Sequence, residues 1–250
     1  MTMSVSGKHA LVTGGGSGIG STIALALADA GAIVTICGRR RQQLDETAAR
    51  HKNIRAEIAD VTDQKSITQL YSRGPFDIVI ANAGGAQSAP AEKISAALWA
   101  DTLNVNLTGA FFSVQPALNG MRAKKWGRVV FIASTAGIRA APYIAPYVAA
   151  KHGVIGLMRT LALETAKDGI TVNAVCPSYT ETPMLEQAVA RIVATTKRSE
   201  AEARSLLAAR NPQGRFITPQ EVADTVLWLC TEGAASITGQ AISLSGGETW

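Results

Sequence analysis

Tyr147 and Lys151 stand four residues apart in a helical pattern, so their side chains share one face. A phenol beside an ammonium can work as a proton-transfer pair. An isolated tyrosine ionises only near pH ~10, and a neighbouring positive charge stabilises its phenolate. Tyr147 would then exchange a proton with a carbonyl oxygen near neutral pH. Ser134 closes the apolar run 129–133 just upstream. A tyrosine and a lysine at this spacing are ordinarily just surface neighbours, and what gives the pair weight is the company it keeps. His9, His51 and His152 have no carboxylate or cysteine pattern around them, so no metal site is expected.

An apolar run, Ala10-Leu11-Val12, leads straight into Thr13-Gly14-Gly15-Gly16-Ser17-Gly18-Ile19-Gly20, and an alanine-rich helical pattern follows. Glycines suit a sharp strand-to-helix turn in which backbone N–H groups must approach an anion with no Cβ in the way. The G-x-G-x-x-G spacing cannot be threaded through this run; Gly14, Gly18 and Gly20 fit Gly-x-x-x-Gly-x-Gly instead. No Lys-Ser or Lys-Thr follows the last glycine, which excludes a P-loop. A purely structural turn is the alternative, and the strand-before, helix-after setting favours a dinucleotide cradle. The second apolar strand ends Ile36-Cys37-Gly38-Arg39-Arg40. Gly38 stands where an NAD-binding domain normally places a ribose-binding acid. An arginine fork can bind a 2′-phosphate that a carboxylate would repel, so Arg39 points to NADP over NAD. The competing reading makes 39–41 the exposed start of a helix.

These residues need a frame, and the chain supplies one. Runs at 10–13, 33–37, 54–58, 78–81, 129–133, 171–175 and 241–244 read as strands. Helical patterns at 19–30, 42–51, 63–72, 95–125, 147–167 and 219–231 alternate with them. The expected fold is α/β, a Rossmann-like doubly wound parallel sheet of about seven strands with helices on both faces. With 250 residues, 47% hydrophobic and 17% charged, the chain reads as a single domain over 1–250, with an amphipathic substrate lid at about 183–214. No apolar stretch is long enough to span a bilayer, and the polar start 1–8 does not resemble a signal peptide. Cys37, Cys176 and Cys230 are too far apart in sequence to suggest a zinc site or a disulfide framework, and cytoplasmic localisation is expected. The net charge of +5 is scattered apart from 39–41 and a loose group between 191 and 210, so neither a nucleic acid nor a membrane is expected as a partner.

Taken in order, these motifs resemble the short-chain dehydrogenase/reductase family, in its ordinary single-domain form, over essentially the whole chain. The resemblance implies that Asn106, Ser134, Tyr147 and Lys151 are catalytic. Tyr147 would be the general acid or base, and Ser134 would hold the substrate oxygen. Lys151 would lower the tyrosine pKa and bind the nicotinamide ribose, while Asn106 would support a proton-carrying water chain. It also implies cofactor contacts from Gly14, Ser17, Gly18, Ile19 and Gly20, from Arg39, Asp60 and Val61, from Asn82 and Gly84, and from Pro177, Thr180 and Thr182 beside Tyr147 and Lys151. Two departures stand out. The usual N-N-A-G reads Ala81-Asn82-Ala83-Gly84, and the usual P-G reads Pro177-Ser178.

Tyr143-Ile144-Ala145-Pro146 and the region around Cys176 further resemble ketoreductases of 3-oxoacyl and polyketide thioesters. The expected reaction is hydride transfer between NADP(H) and a ketone or secondary alcohol of that class. Small ketones, cyclic alcohols and sugars remain alternatives, as does a noncatalytic NADP-sensing regulator. Ala149, Ala150, Gly153 and Gly156 would let another helix approach closely or could instead pack on the sheet, and the resemblance implies a homotetramer with 237–250 near a second interface.

Overall fold

The computed structural model describes residues 3–249. Met1 and Thr2 of the polar start, and Trp250 of the expected second interface segment, lie outside the described residues. Strands β1 (His9–Thr13), β2 (Ile33–Gly38), β3 (Ile54–Ile58), β4 (Ile78–Ala81), β5 (Gly127–Ile132), β6 (Ile170–Pro177) and β7 (Ala241–Leu244) form one sheet in the order β3-β2-β1-β4-β5-β6-β7. Every pairing is parallel. The chain winds outward from β1 to β3 and then returns to lay β4 on the other side of β1. A crevice opens where the winding reverses, beyond the carboxyl ends of these strands.

Alternation along the central strands feeds two cores. Leu11, Val79, Val129 and Phe131 face one side of the sheet, and Val12, Ile80, Val130 and Ile132 face the other. Strands covered on both faces must be apolar at nearly every position, which is why these runs read as continuous rather than alternating. Helices α1 (Gly18–Asp29), α2 (Arg41–Ala48) and α3 (Gln64–Tyr71) link the first four strands.

The expected long helix at 95–125 is instead broken into α4 (Ala96–Leu103), a π turn (Asn104–Thr108), α5 (Gly109–Val114) and α6 (Ala117–Lys124). Ser95 caps its start by accepting from the Leu98 N–H at 3.1 Å. Pro116 has no N–H to continue the ladder, and Lys125, at φ 51°, ends the last piece. Helix α7 (Ala145–Thr165) carries Tyr147 and Lys151 and seats Val154, Met158 and Leu161 in the first core. The pattern at 183–214 resolves into α8 (Pro183–Thr195) and α9 (Glu200–Ala208), which share a small core of Leu185, Val189, Ala203 and Leu207. Helix α10 (Pro219–Cys230) packs on the face that α1 covers. Among the described residues, no helix is long and apolar enough to cross a membrane.

Candidate active site

The glycine loop connects β1 to α1. A Cβ at Gly20 would lie 2.3 Å from the Gly14 carbonyl and 2.5 Å from Asn82 Nδ2, so the turn closes only with glycine there. Ser17 begins α1 without a side-chain cap, and the first turn holds no acid. The positive end of a helix of twelve residues therefore faces the crevice with its N–H groups free for a pyrophosphate. These features fit a dinucleotide. Asn82 acts on the loop from below, its amide donating to the carbonyls of Thr13 (2.8 Å) and Gly14 (3.2 Å). Thr13 Oγ1 in turn accepts from the N–H groups of Asn82 and Ala83 at 3.1 and 3.0 Å. Asn82 thus fixes the shape of the loop.

The cleft beside the loop is lined by Gly14, Gly16, Ser17, Gly38, Arg39, Arg40, Gln43, Leu44, Ala59, Asp60, Val61, Ala83, Gly84 and Val105. No carboxylate ends β2 at Gly38, and the exposed Arg39 forms no ion pair among the described residues. Asp60 accepts from Thr62 N (2.9 Å) and Thr62 Oγ1 (2.8 Å). Burial opposes its charge, yet these hydrogen bonds and the nearby Arg39 guanidinium hold the carboxyl below its usual range. Thr182 lies against the far side of the glycine loop, its Cγ2 3.3 Å from where a Gly18 Cβ would be. It leads into α8 after Pro177 and the buried Thr180.

The four expected catalytic residues converge at the end of this cleft. Ser134 follows β5, its Oγ accepts from the Ala136 N–H at 3.1 Å, and it lies beside the half-buried Tyr147. Lys151, 4% exposed, donates from Nζ to the Ile132 carbonyl at 2.7 Å and sits 5.4 Å from the centre of the Tyr147 ring. Gly84 ties the cleft to this group, because a Cβ there would lie 3.6 Å from Lys151 Nζ and 2.6 Å from Asn106 Oδ1. Asn106 lies in the π turn, a distortion that recurs at functional sites. Its amide donates to the carbonyls of Gly85 and Thr102, both at 2.9 Å, and its oxygen accepts from Gly85 N at 3.2 Å. The side chain is fully engaged in bracing the loop after β4.

Burial pushes the Tyr147 hydroxyl up to about 12, against the lowering effect of the neighbouring Ser134 hydroxyl. Burial also pulls the Lys151 ammonium down from 10.5 to about 8. Burial therefore dominates at both groups, because the dry setting disfavours both charged forms, and Lys151 is not among the groups that lower the tyrosine. Cys176 lies near Ser134 and Lys151, and burial raises its thiol to about 11, which suits packing rather than nucleophilic chemistry.

Of two further cleft residues, sequence reasoning named Arg40 without giving it a role and passed over Gln43. Arg40 Nη2 donates to Ser17 Oγ at 3.3 Å, which sets a second guanidinium at the loop. Gln43 lines the same cleft with a buried Oε1 that has no partner among the described residues. Arg40 was visible as the neighbour of Arg39, whereas nothing in the sequence distinguishes Gln43 from an ordinary polar residue early in a helix.

A doubly wound sheet with a glycine cradle and a serine–tyrosine–lysine group at one crevice defines a nicotinamide-dependent oxidoreductase. The family model for short chain dehydrogenase matches residues 8–192, and the chain belongs to that family. It is 40% identical over 252 aligned residues to a candidate ketoacyl reductase of the granaticin polyketide synthase of Streptomyces violaceoruber, covering 95% of this chain and 92% of the relative. It is 38% identical over 253 aligned residues to the D-beta-hydroxybutyrate dehydrogenase of Cupriavidus necator, covering 97% and 98%. Its fold matches the crystal structure of a variant of actinorhodin polyketide ketoreductase with NADPH at a TM-score of 0.92, with 37% identity and coverage of 96% and 97%.

Proposed function

We propose that the protein reduces the ketone of a 3-oxoacyl thioester with NADPH. The observation that carries this reading is Tyr147 with Ser134 beside it and the buried Lys151 Nζ 5.4 Å from its ring centre, joined through Gly84 to a cleft lined by Arg39 and Arg40. Bound NADPH supplies the hydride. Tyr147, protonated at neutral pH, delivers a proton from Oη to the substrate oxygen, and Ser134 Oγ holds that oxygen in line. Lys151 keeps two N–H groups beyond its bond to Ile132 for the nicotinamide ribose. Gly14, Ser17, Gly18, Ile19 and Gly20 hold the pyrophosphate, and Asp60 and Val61 flank the adenine. Pro177, Thr180 and Thr182 border the nicotinamide. Arg39 and Arg40 bind the 2′-phosphate, a role supported by their having no carboxylate partner among the described residues. The 3-oxoacyl class is supported by the names of the two polyketide-related proteins above.

Helices α8 and α9 act as the substrate lid of a single-domain enzyme. Of the small residues of α7, Ala150 is buried and Gly153 packs on Leu107, while Ala149 and Gly156 are exposed; with Leu163, 84% exposed, these two support assembly into a homotetramer. Three free, buried cysteines fit a reducing cytoplasm.

The test is initial rates of NADPH and NADH oxidation with acetoacetyl thioester, acetoacetate, a cyclic diketone and a sugar ketone, repeated on Arg39→Ala. Fastest turnover with thioester and NADPH, and a loss on Arg39→Ala confined to NADPH and about 10–100-fold in size, supports the reading. Preference for another ketone overturns the substrate class. Equal losses for both cofactors overturn the phosphate contact.

A further inference from the structure

The departure at Pro177-Ser178 has a partner far along the chain. Ser178 Oγ donates to one carboxylate oxygen of Glu248, and the Arg139 guanidinium pairs with the other. The Glu248 side chain is 4% exposed, whereas that of Arg139 is 41% exposed. A carboxylate this buried needs both oxygens satisfied. Here the two partners come from different loops, one after β5 and one after β6, so the carboxylate works as a crosslink between them.

The segment after β7 is built to deliver that side chain. Ser178 N donates to the Leu244 carbonyl at 2.9 Å, which carries the β6–β7 pairing one step beyond the strands. Gly246 and Gly247, at φ 59° and 96°, then turn the chain back. A Cβ on Gly246 would fall 1.9 Å from Asn211 Oδ1, so the turn is closed to other residues. Glu248 N donates to the Ser245 carbonyl at 3.2 Å and Thr249 N to Ser245 Oγ at 3.1 Å, which locks the hook.

Both ends of the crosslink lead to the site. Arg139 N donates at 2.9 Å to the carbonyl of Thr135, the residue after Ser134. Thr180 Oγ1 donates to the Ser178 carbonyl at 2.9 Å, and Thr182 Oγ1 to the Thr180 carbonyl at 3.1 Å. Thr182 is the residue packed against Gly18 of the glycine loop.

We propose that Glu248 is a positioning residue that joins the loop bearing Ser134 to the loop bearing Thr180 and Thr182, and so sets where the ketone lies relative to Tyr147. The inference rests on the reading of Ser134 and Tyr147 as the proton-transfer pair. It accounts for serine at the usual glycine position, because only a side chain there can reach the carboxylate.

The experiment compares Glu248→Ala, Glu248→Gln and Ser178→Gly for kcat and KM with the preferred ketone, for melting temperature, and for binding of 2′,5′-ADP. That ligand occupies only the adenosine half of the cofactor site. Displacing reacting groups by about 1 Å can lower rates ~100-fold. Glu248→Ala is expected to lose about 10–100-fold in kcat/KM while 2′,5′-ADP binds as before. Glu248→Gln, which still accepts from Arg139, recovers most of the loss, and Ser178→Gly loses severalfold. A kcat/KM within about twofold of the parent for Glu248→Ala, whatever its melting temperature, overturns the proposal. Should Glu248→Ala not fold, unchanged kcat/KM in Ser178→Gly overturns it equally. Retained turnover in Tyr147→Phe would sink the proton-transfer reading itself, a result distinguishable from failure of the crosslink alone.

Discussion

The two ends of the parallel sheet handle charge in opposite ways. At the amino ends of the strands, Asp77 accepts from His9 N (3.0 Å) and Lys124 Nζ (2.5 Å). Burial works against its charge, but those bonds and the nearby Lys8 hold its carboxyl below the usual range. Asp168 binds Arg122 at 3.1 Å and Lys125 at 2.7 Å. Arg128, 2% exposed, donates to the carbonyls of Gly127 and Gly169, stacks 4.4 Å from the Trp126 ring centre and faces Glu232 at 3.5 Å. At the carboxyl ends, Lys151 is equally buried with no carboxylate against it, and Arg39 and Arg40 are unpaired among the described residues. One end neutralises its charges internally and so holds the fold. The other, apart from the Arg139–Glu248 pair, keeps Lys151, Arg39 and Arg40 out of close ion pairs among the described residues, which suits chemistry on an anionic cofactor and a ketone.

If this division is real, substitutions at the two ends should separate activity from stability. Tyr147→Phe removes one exchangeable proton and little volume, so kcat should fall about 10²–10⁴-fold with the melting temperature nearly unchanged; a matched loss of both would break the comparison. Next in size is a pH effect. Tyr147, near 12, stays protonated across the working range, whereas Lys151 loses its charge near 8. Ketone reduction should therefore decline as pH rises through about 8, and Lys151→Met should show a low rate that is flat across that window. The same shift has a sign for folding. The unfolded chain binds the extra proton between about 8 and 10.5, so this group's contribution to stability rises over that window. A kcat/KM profile without an inflection near 8 would remove Lys151 from the charge argument.

Much of this was legible beforehand, for reasons that differ by region. The inner strands were the most readable because burial on both faces leaves near-continuous apolar runs, whereas the edge strands β3 and β7 are only partly buried and were read from their place in the alternation with helical patterns. The glycine loop was readable because close approach tolerates only glycine, as at Gly20. The break at 95–125 was not, since a π turn offsets the helical register at one point and leaves a helical pattern on either side; Pro116 was a signal of the later break. The upward shift of Tyr147 was equally hidden, because spacing shows which residues share a face and not how much water they lose. The Arg139–Glu248–Ser178 crosslink joins residues too distant in sequence for any local pattern to pair. Its only trace was serine where glycine was expected.

The smaller effects belong at the amino end of the sheet, and they test whether its pairs are structural. Asp77→Ala deprives the His9 N–H and Lys124 of their acceptor, so unfolding free energy should fall by about 2 kcal/mol, read from a urea midpoint. The kcat and both KM values should stay within about twofold, because Asp77 precedes β4 while the reacting groups lie beyond its far end; a tenfold loss of kcat at unchanged stability would mean that the two ends are coupled through the strand. Glu232→Gln is the mildest case. Its carboxylate is 75% exposed and keeps a neutral substitute acceptor for Trp126 Nε1, so the pair with Arg128 should contribute no more than about 0.5–1 kcal/mol. A larger loss, reduced by added salt, would show that Arg128 depends on that charge rather than on Trp126 and the two carbonyls, and the amino end would then rest on one exposed ion pair instead of a neutralised network.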